Sequence, residues 1–224
     1  MNITLDSGKS KRMLTGGKYC PEDVVVTAIG GNNERENGIL SRTLTEYVND
    51  EVTDIAPYSF YWYDALTSVS CANAKNARSS SFYRCTALKH INMPLLSYLS
   101  SNAFSYCSAL TEVSFPSAIT VDTRSLAYCP SLTKVDLAKA TALSHESFRD
   151  NTAMNVLILR RTDRICKLNN ITAFDGTPFA QDGTGGIVVV PSTLLEEYKI
   201  ADNWNTLYGY GKCQFVELEG SEYE

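Results

Sequence analysis

Ala103-Phe104-Ser105-Tyr106-Cys107-Ser108-Ala109-Leu110-Thr111-Glu112-Val113-Ser114-Phe115-Pro116 is the stretch whose reading decides the fold, because the chain repeats it in outline every 22 residues. Phe60, Phe82, Phe104 and Phe148 hold one place in the unit, and Leu126 fills the gap between the last two. Three residues on stand Tyr63, Cys85, Cys107, Cys129 and Asn151; six on stand Leu66, Leu88, Leu110, Leu132 and Met154. Nine on stand Val69, Ile91, Val113, Val135 and Leu157, and eleven on stand Cys71, Met93, Phe115, Leu137 and Leu159. A further apolar column, seventeen on, runs Ala77, Leu99, Val121, Leu143 and Ile165. A fixed period of this size means one supersecondary unit per repeat, each burying its apolar side against its neighbours. The pattern predicts a solenoid.

The spacing within the unit predicts the kind of solenoid. Leu110-Thr-Glu-Val113-Ser-Phe115 and Leu132-Thr-Lys-Val135-Asp-Leu137 fit the L-x-x-L-x-L core of a leucine-rich repeat. The alternating part is a short strand with one face inward and one outward, so successive coils build a parallel sheet with roughly 4.8 Å between strands. The expected architecture is a β-rich right-handed superhelix with little helix. The asparagine or cysteine expected three residues beyond the last core leucine is replaced by Ala74, Leu96, Ala118, Ala140 and Thr162, so no asparagine ladder is expected there.

With those residues in view, the unit resembles the A-F-x-x-C-x-x-L-x-x-V-x-h-P repeat of BspA-type leucine-rich repeat proteins, from Leu40 to about Ile165. The family includes bacterial surface adhesins, so the resemblance implies binding and leaves the ligand open. Gly17-Lys18-Tyr19-Cys20-Pro21-Glu22-Asp23-Val24-Val25-Val26 is similar to a short leader of phage and prophage tail-associated proteins. The closing order Ile187-Val-Val-Val190-Pro191, helix, Asn203-Trp204 resembles the end of phage-type members of the family. Together these resemblances imply a phage or prophage tail module that contacts the bacterial cell surface, with virion or tail proteins as partners through the leader.

Three segments follow: a β leader over 1–31, the solenoid over 38–165, and a degenerate last coil with a strand–helix cap over 166–224. In the last segment Ser192 is expected to cap a short helix, Trp204 to pack beneath it, and the glutamate-rich end from Glu217 to Glu224 to fray. Solenoids need such atypical ends to shield the outermost coil.

The net charge of −5 offers no basic footprint for nucleic acid, and no apolar run reaches the ~20 residues that span a membrane. Met1-Asn-Ile-Thr-Leu-Asp6 lacks the apolar region of a secretory leader, so synthesis and folding in the cytosol are expected, as for virion parts. Cys85, Cys107 and Cys129 fall at one place in successive coils. A row with one thiol per coil builds no tetrahedral metal site, so buried, reduced thiols and no metal are expected.

Candidate chemistry is sparse. His90 and His145 fall at different places in their coils, and no P-loop, H-E-x-x-H or G-x-G-x-x-G occurs. Glu112 and Asp136 point outward from adjacent strands, about 8 Å apart by strand geometry, within the roughly 6.5–9.5 Å of an inverting glycosidase. Lys134, however, stands beside Glu112 as an ordinary cross-strand partner. Coil one gathers Tyr58, Phe60, Tyr61, Trp62 and Tyr63, either as end packing or as a carbohydrate-stacking platform.

Binding is therefore expected on the outward sheet face, at His90, Asn92, Glu112, Ser114, Lys134 and Asp136, with a protein or cell-surface glycan as ligand and no cofactor. A surface adhesin that binds host protein, and more remotely a glycan-active enzyme using Glu112 and Asp136, are the alternatives. In coil five the outward positions turn apolar as Val156 and Ile158, so the C-terminal segment is expected to cover them.

Overall fold

The computed structural model describes residues 44–224 and, before them, the backbone of four short strands. Those four are Thr4–Leu5, Lys11–Leu14 and Lys18–Pro21, which form an antiparallel sheet, and Val25–Val26. Lys11, Arg12 and Lys18, three basic residues near the start of the sequence, and the polar Gly/Asn-rich stretch 30–38, read as a joint between leader and solenoid, lie outside the residues whose side chains are described.

From residue 44 the chain winds as a parallel β-solenoid of about six turns at the 22-residue spacing. Each coil contributes a strand to a first sheet, which is divided into a three-stranded and a five-stranded part, and the central residue of each strand points inward. The first strands are Glu46–Val48, Ser68–Ser70 and His90–Asn92, in register Tyr47↔Val69 and Val69↔Ile91. Then come Glu112–Ser114, Lys134–Leu137 and Val156–Leu159, joined by Gly186–Val190 and Cys213–Glu217, all parallel. A second sheet of seven two-residue strands runs Val25–Val26, Asp54–Ile55, Asn76–Ala77, Tyr98–Leu99, Thr120–Val121, Ala142–Leu143 and Lys167–Leu168.

Between the second sheet and the next coil's first strand, the chain turns a corner around the phenylalanine column. Two non-glycine residues per coil lie in the left-handed region there: Tyr58 and Trp62, Ser80 and Arg84, Asn102 and Tyr106, Arg124 and Tyr128, Glu146 and Asp150, with φ between 53° and 63°. Left-handed backbone costs a non-glycine residue roughly 1–2 kcal/mol. The offset comes from neighbouring coils, because this bend lines amides up with the next coil's carbonyls. Phe60 donates to Ser81 O at 2.7 Å, Phe82 to Ala103 O at 2.8 Å and Phe104 to Ser125 O at 2.8 Å.

The core is the set of sequence columns. Phe60, Phe82, Phe104, Leu126 and Phe148 are fully buried, and Phe60, Phe82 and Phe104 stack at 4.9 and 5.0 Å with nearly parallel rings. The cysteine column has a polar reason as well as a steric one. Each Sγ donates to the carbonyl of the phenylalanine in the coil before: Cys85 to Phe60 O at 3.1 Å, Cys107 to Phe82 O and Cys129 to Phe104 O, both at 3.3 Å. Asn151 keeps the pattern with an amide, donating to Leu126 O at 2.9 Å while accepting from Cys129 N at 2.8 Å. In the four coils after the first, where Tyr63 stands, a small buried donor holds this place. Burial pushes the thiols up, Cys129 to about 12 and Cys85 and Cys107 in the same direction, so they stay protonated donors. Thiol titration should therefore find the six described cysteines silent in the folded protein, and all seven of the chain reactive once it is unfolded. Rapid reaction of Cys107 in the native state would contradict the column.

Several expectations change at the C-terminal end. Ile165 is not the next member of the second-sheet column; Leu168 takes that place, paired with Leu143, and Ile165 is only half-buried. The segment 160–164, with three arginines and an aspartate, bulges outward and delays the register. Phe174, inside the 3-10 turn Ile171–Phe174, then stacks on Phe148 at 5.5 Å and closes the phenylalanine column. In Gly186–Val190 the three valines are buried on both faces, as their β-branched run implies.

Ser192 is not an N-cap. It begins a 3-10 turn, Ser192–Leu194, that leads into the helix Leu195–Ile200, and its N–H is satisfied by the Glu219 carboxylate at 2.8 Å. Trp204, in the helix Trp204–Gly209, is fully buried and donates from Nε1 to Cys166 O at 2.7 Å. The C-terminal glutamates lie on a turn that is tied to the sheet. Leu218 N donates to Val190 O at 2.8 Å, and Arg160 reaches Tyr223 O at 2.7 Å, which holds the final turn against the sheet. On the outward face beside this turn, Ile158 is 2% exposed and Val189 0%, while Val156 is half-buried. Ile158 and Val189, in register on adjacent strands, lie outside the main core cluster.

Candidate functional site

The six candidate residues occupy two adjoining rows on the outward face of the first sheet. His90, Glu112 and Lys134 share one row; Asn92, Ser114 and Asp136 share the next. Strand alternation puts them there, since Ile91, Val113 and Val135 between them point inward. His90, Asn92, Glu112 and Ser114 are exposed; Lys134 and Asp136 are half-buried.

Their electrostatics is local. Lys134 Nζ lies 2.6 Å from Glu112 Oε2 in the expected cross-strand pair, and that bond to Glu112 raises the ammonium pKa. Asp136 has a partner the sequence reading missed: Arg160 makes a forked contact to both its oxygens at 2.9–3.0 Å. Since Arg160 also holds Tyr223 O, Asp136 anchors the C-terminal turn. An inverting glycosidase needs one protonated carboxyl and one free base. Here each carboxylate is matched to its own cation. The signal for Arg160 was in the sequence, 24 residues after Asp136, but the bulge hid its register.

The rows are not continuous. His90–Asn92 ends a three-stranded sheet and Glu112–Ser114 begins a separate five-stranded one. The bonds that ought to bridge them show the break. Cys71 N donates to Asn92 O at 3.0 Å and Phe115 N to Asp136 O at 2.9 Å, yet among the described residues no bond joins Met93 N to Ser114 O. Likewise Lys89 N donates to Thr67 O at 2.9 Å and Thr133 N to Thr111 O at 2.7 Å, but Thr111 N does not reach Lys89 O. The second sheet stays laddered through the same coils, Tyr98 with Thr120. The opening forms a depression of about 450 Å³ lined by Ser68, Ser70, Lys89, His90, Asn92 and Glu112, among others.

The aromatics of coil one make a ladder rather than a platform. Phe60 and Tyr63 are fully buried, while Tyr61 stacks face to face on Tyr83 at 5.1 Å. Arg84 lies 4.6 Å from the Trp62 ring centre and 5.1 Å from that of Tyr106, which stacks in turn on Tyr128 at 4.4 Å. Ring faces that a sugar would need are turned toward neighbouring coils, so end packing is the better description. Glu146, 5% exposed, holds Arg124 and Arg149 at the same corner. Burial would raise its pKa, but the two guanidiniums outweigh this and lower it. Among the described residues no group of three or more His, Cys, Asp or Glu gathers to hold a metal, and no helix is long and apolar enough to cross a membrane.

Comparison with known proteins bears on this arrangement. Residues 42–155 match, in six copies, the family described as BspA type Leucine rich repeat region. Comparison with curated proteins gives no match. Among solved structures, a leucine-rich repeat protein from Bacteroides ovatus is similar at a TM-score of 0.52 and 16% identity, covering 86% of this chain and 58% of that one. The T. pallidum leucine-rich repeat protein gives 0.47 at 16% identity, with 78% and 87% covered. A leucine-rich cell surface protein from Faecalibacterium prausnitzii gives 0.44 at 16% identity, with 87% and 72% covered. The present chain thus spans a little over half the length of the Bacteroides ovatus protein, and the likeness is one of fold.

Proposed function

Because the chain belongs to the BspA-type leucine-rich repeat family, we propose that it is a non-enzymatic recognition protein that binds through the outward sheet face of coils two to four. One observation carries this reading. Over columns that stay mostly apolar and, Ile91 apart, almost wholly buried, His90, Asn92, Glu112 and Ser114 are exposed and differ from coil to coil, so packing does not dictate them. The extended face of a repeat protein is where ligand recognition is usually built.

The finer reading is a phage or prophage tail module that contacts the bacterial cell surface, attached through residues 1–31. Its support is the resemblance of the leader and of the closing segment to tail-associated proteins. The ligand is then a bacterial surface protein or glycan. The purified chain, fluorescently labelled, should bind cells from a panel of bacterial species, and the His90→Ala/Asn92→Ala variant should weaken binding about tenfold. Binding only to host matrix proteins would instead favour the adhesin alternative. Turnover on a glycan panel, lost in Glu112→Gln, would favour the enzyme.

A further inference from the structure

The break in the first sheet lies within the proposed binding face. In a solenoid every interior strand is paired on both sides, and an unpaired strand edge normally occurs only at the ends. Here two edges face each other in mid-solenoid. One belongs to His90–Asn92 and the other to Glu112–Ser114. The groups left without their rungs are the N–H of Met93 and of Thr111 and the carbonyls of Lys89 and Ser114. The inward side records the same opening. Ile91 is half-buried, whereas Val69 and Val135 of its column are 1% and 0% exposed. Beneath the break the core column widens from Cys71 through Met93 to Phe115, whose ring packs on Phe104 at 5.7 Å.

Rows of backbone donors and acceptors at strand spacing are complementary to one common partner, another extended backbone. A glycan offers hydroxyls at no such fixed alternation. The rim adds a charge preference. Glu112 is neutralised by Lys134 at 2.6 Å, while Lys89 is exposed and makes no ion pair among the described residues. With Glu112 held by Lys134, Lys89 is the charge on the rim left to meet a ligand.

We propose that the gap between the His90–Asn92 and Glu112–Ser114 strands is a peptide-binding cleft, which takes an extended segment of a partner protein with a carboxylate near Lys89. This rests on the recognition reading above and narrows its ligand to protein.

Residue-resolved amide exchange on the whole chain tests the cleft first. Met93 and Thr111 should exchange at least about tenfold faster than their in-phase counterparts Cys71 and Thr133. Selection from a displayed library of random linear peptides should then enrich acidic sequences. These peptides should slow exchange at Met93 and Thr111 and bind about tenfold more weakly to Lys89→Glu. Equal protection of Met93 and Cys71 in the free protein would overturn the inference, as would enriched peptides that leave Met93 and Thr111 unprotected. If a glycan array gives ligands dependent on His90 and Asn92 while no peptide is enriched, the peptide cleft fails and the recognition reading stands. If neither probe binds, the peptide cleft fails, and if the chain also binds no cells, the recognition reading fails with it.

Discussion

Replacing Phe104 with alanine should cost the fold about 3–5 kcal/mol, the range for removing a large buried aromatic. For a chain of this size that lowers the melting temperature on the order of 10 °C. The expectation follows from position more than from residue type. Phe104 is fully buried and stacked on Phe82 at 5.0 Å. It also packs on Phe115, and its carbonyl accepts the Cys129 thiol at 3.3 Å. A cavity here opens between coils whose backbones are tied by the corner ladder, so neighbours have little freedom to collapse into it. Thermal unfolding followed by circular dichroism checks the value. A shift of one or two degrees would mean that the phenylalanine column is not the core.

The second large effect belongs to the cap. Trp204→Ala should likewise cost about 3–5 kcal/mol. The indole lies at 0% exposure among Phe174, Tyr198 and Phe215, at 5.9, 5.6 and 5.9 Å between ring centres. Its loss also orphans the Cys166 carbonyl, which accepts from Nε1, so an unmet buried acceptor adds to the cavity. Tyr208→Ala is the control: the same helix carries it, but at 43% exposure and with a single ring contact, to Phe215 at 5.9 Å, its removal should cost only about 1 kcal/mol. Comparable losses in the two variants would show that the cap is not organised around Trp204.

Much of this fold is legible in the sequence because burial in a solenoid is a periodic property. A residue's place in the 22-residue unit decides its neighbours above and below, so Val113↔Val135 and Glu112↔Lys134 follow from spacing alone. Where the period stops deciding contacts, legibility stops too. The outward bulge at 160–164 moved Leu168 into the place expected for Ile165. Ser192 looked like a cap because serine before a helix usually is one, yet Glu219, 27 residues on, met the same need. The run of glutamates at the end looked like a solvated tail, but the carbonyl of Tyr223 found Arg160. Each of these is a contact between segments with no fixed phase.

The candidate face shows both sides of this. That His90, Asn92, Glu112, Ser114, Lys134 and Asp136 share two outward rows was legible from alternation. The break among them was not. His90-Ile91-Asn92 and Glu112-Val113-Ser114 read as the same strand one period apart, and nothing in their own residues marks the missing rungs. Whether two in-phase strands pair depends on what the core holds beneath them, and a tolerant apolar column can be filled by Cys71 or by Phe115. The aromatic ladder from Trp62 to Tyr128 was legible in principle, since Trp62, Arg84, Tyr106 and Tyr128 keep the period. It escaped reading because their place alternates a cation with rings.

A face that recognises a ligand differs from a merely solvated one in what its loss does to binding. The direct measurement compares the wild-type chain with a His90→Ala, Asn92→Ala, Glu112→Gln, Ser114→Ala variant, by melting temperature and by binding to the same bacterial cells. All four side chains are exposed and their bonds, Glu112 to Lys134 and Asn92 to Ser70, lie at the surface, so the variant should melt within about 5 °C of wild type. Cell binding should fall at least about tenfold. Unchanged binding by a variant that is equally stable would contradict the account and move recognition off the sheet face.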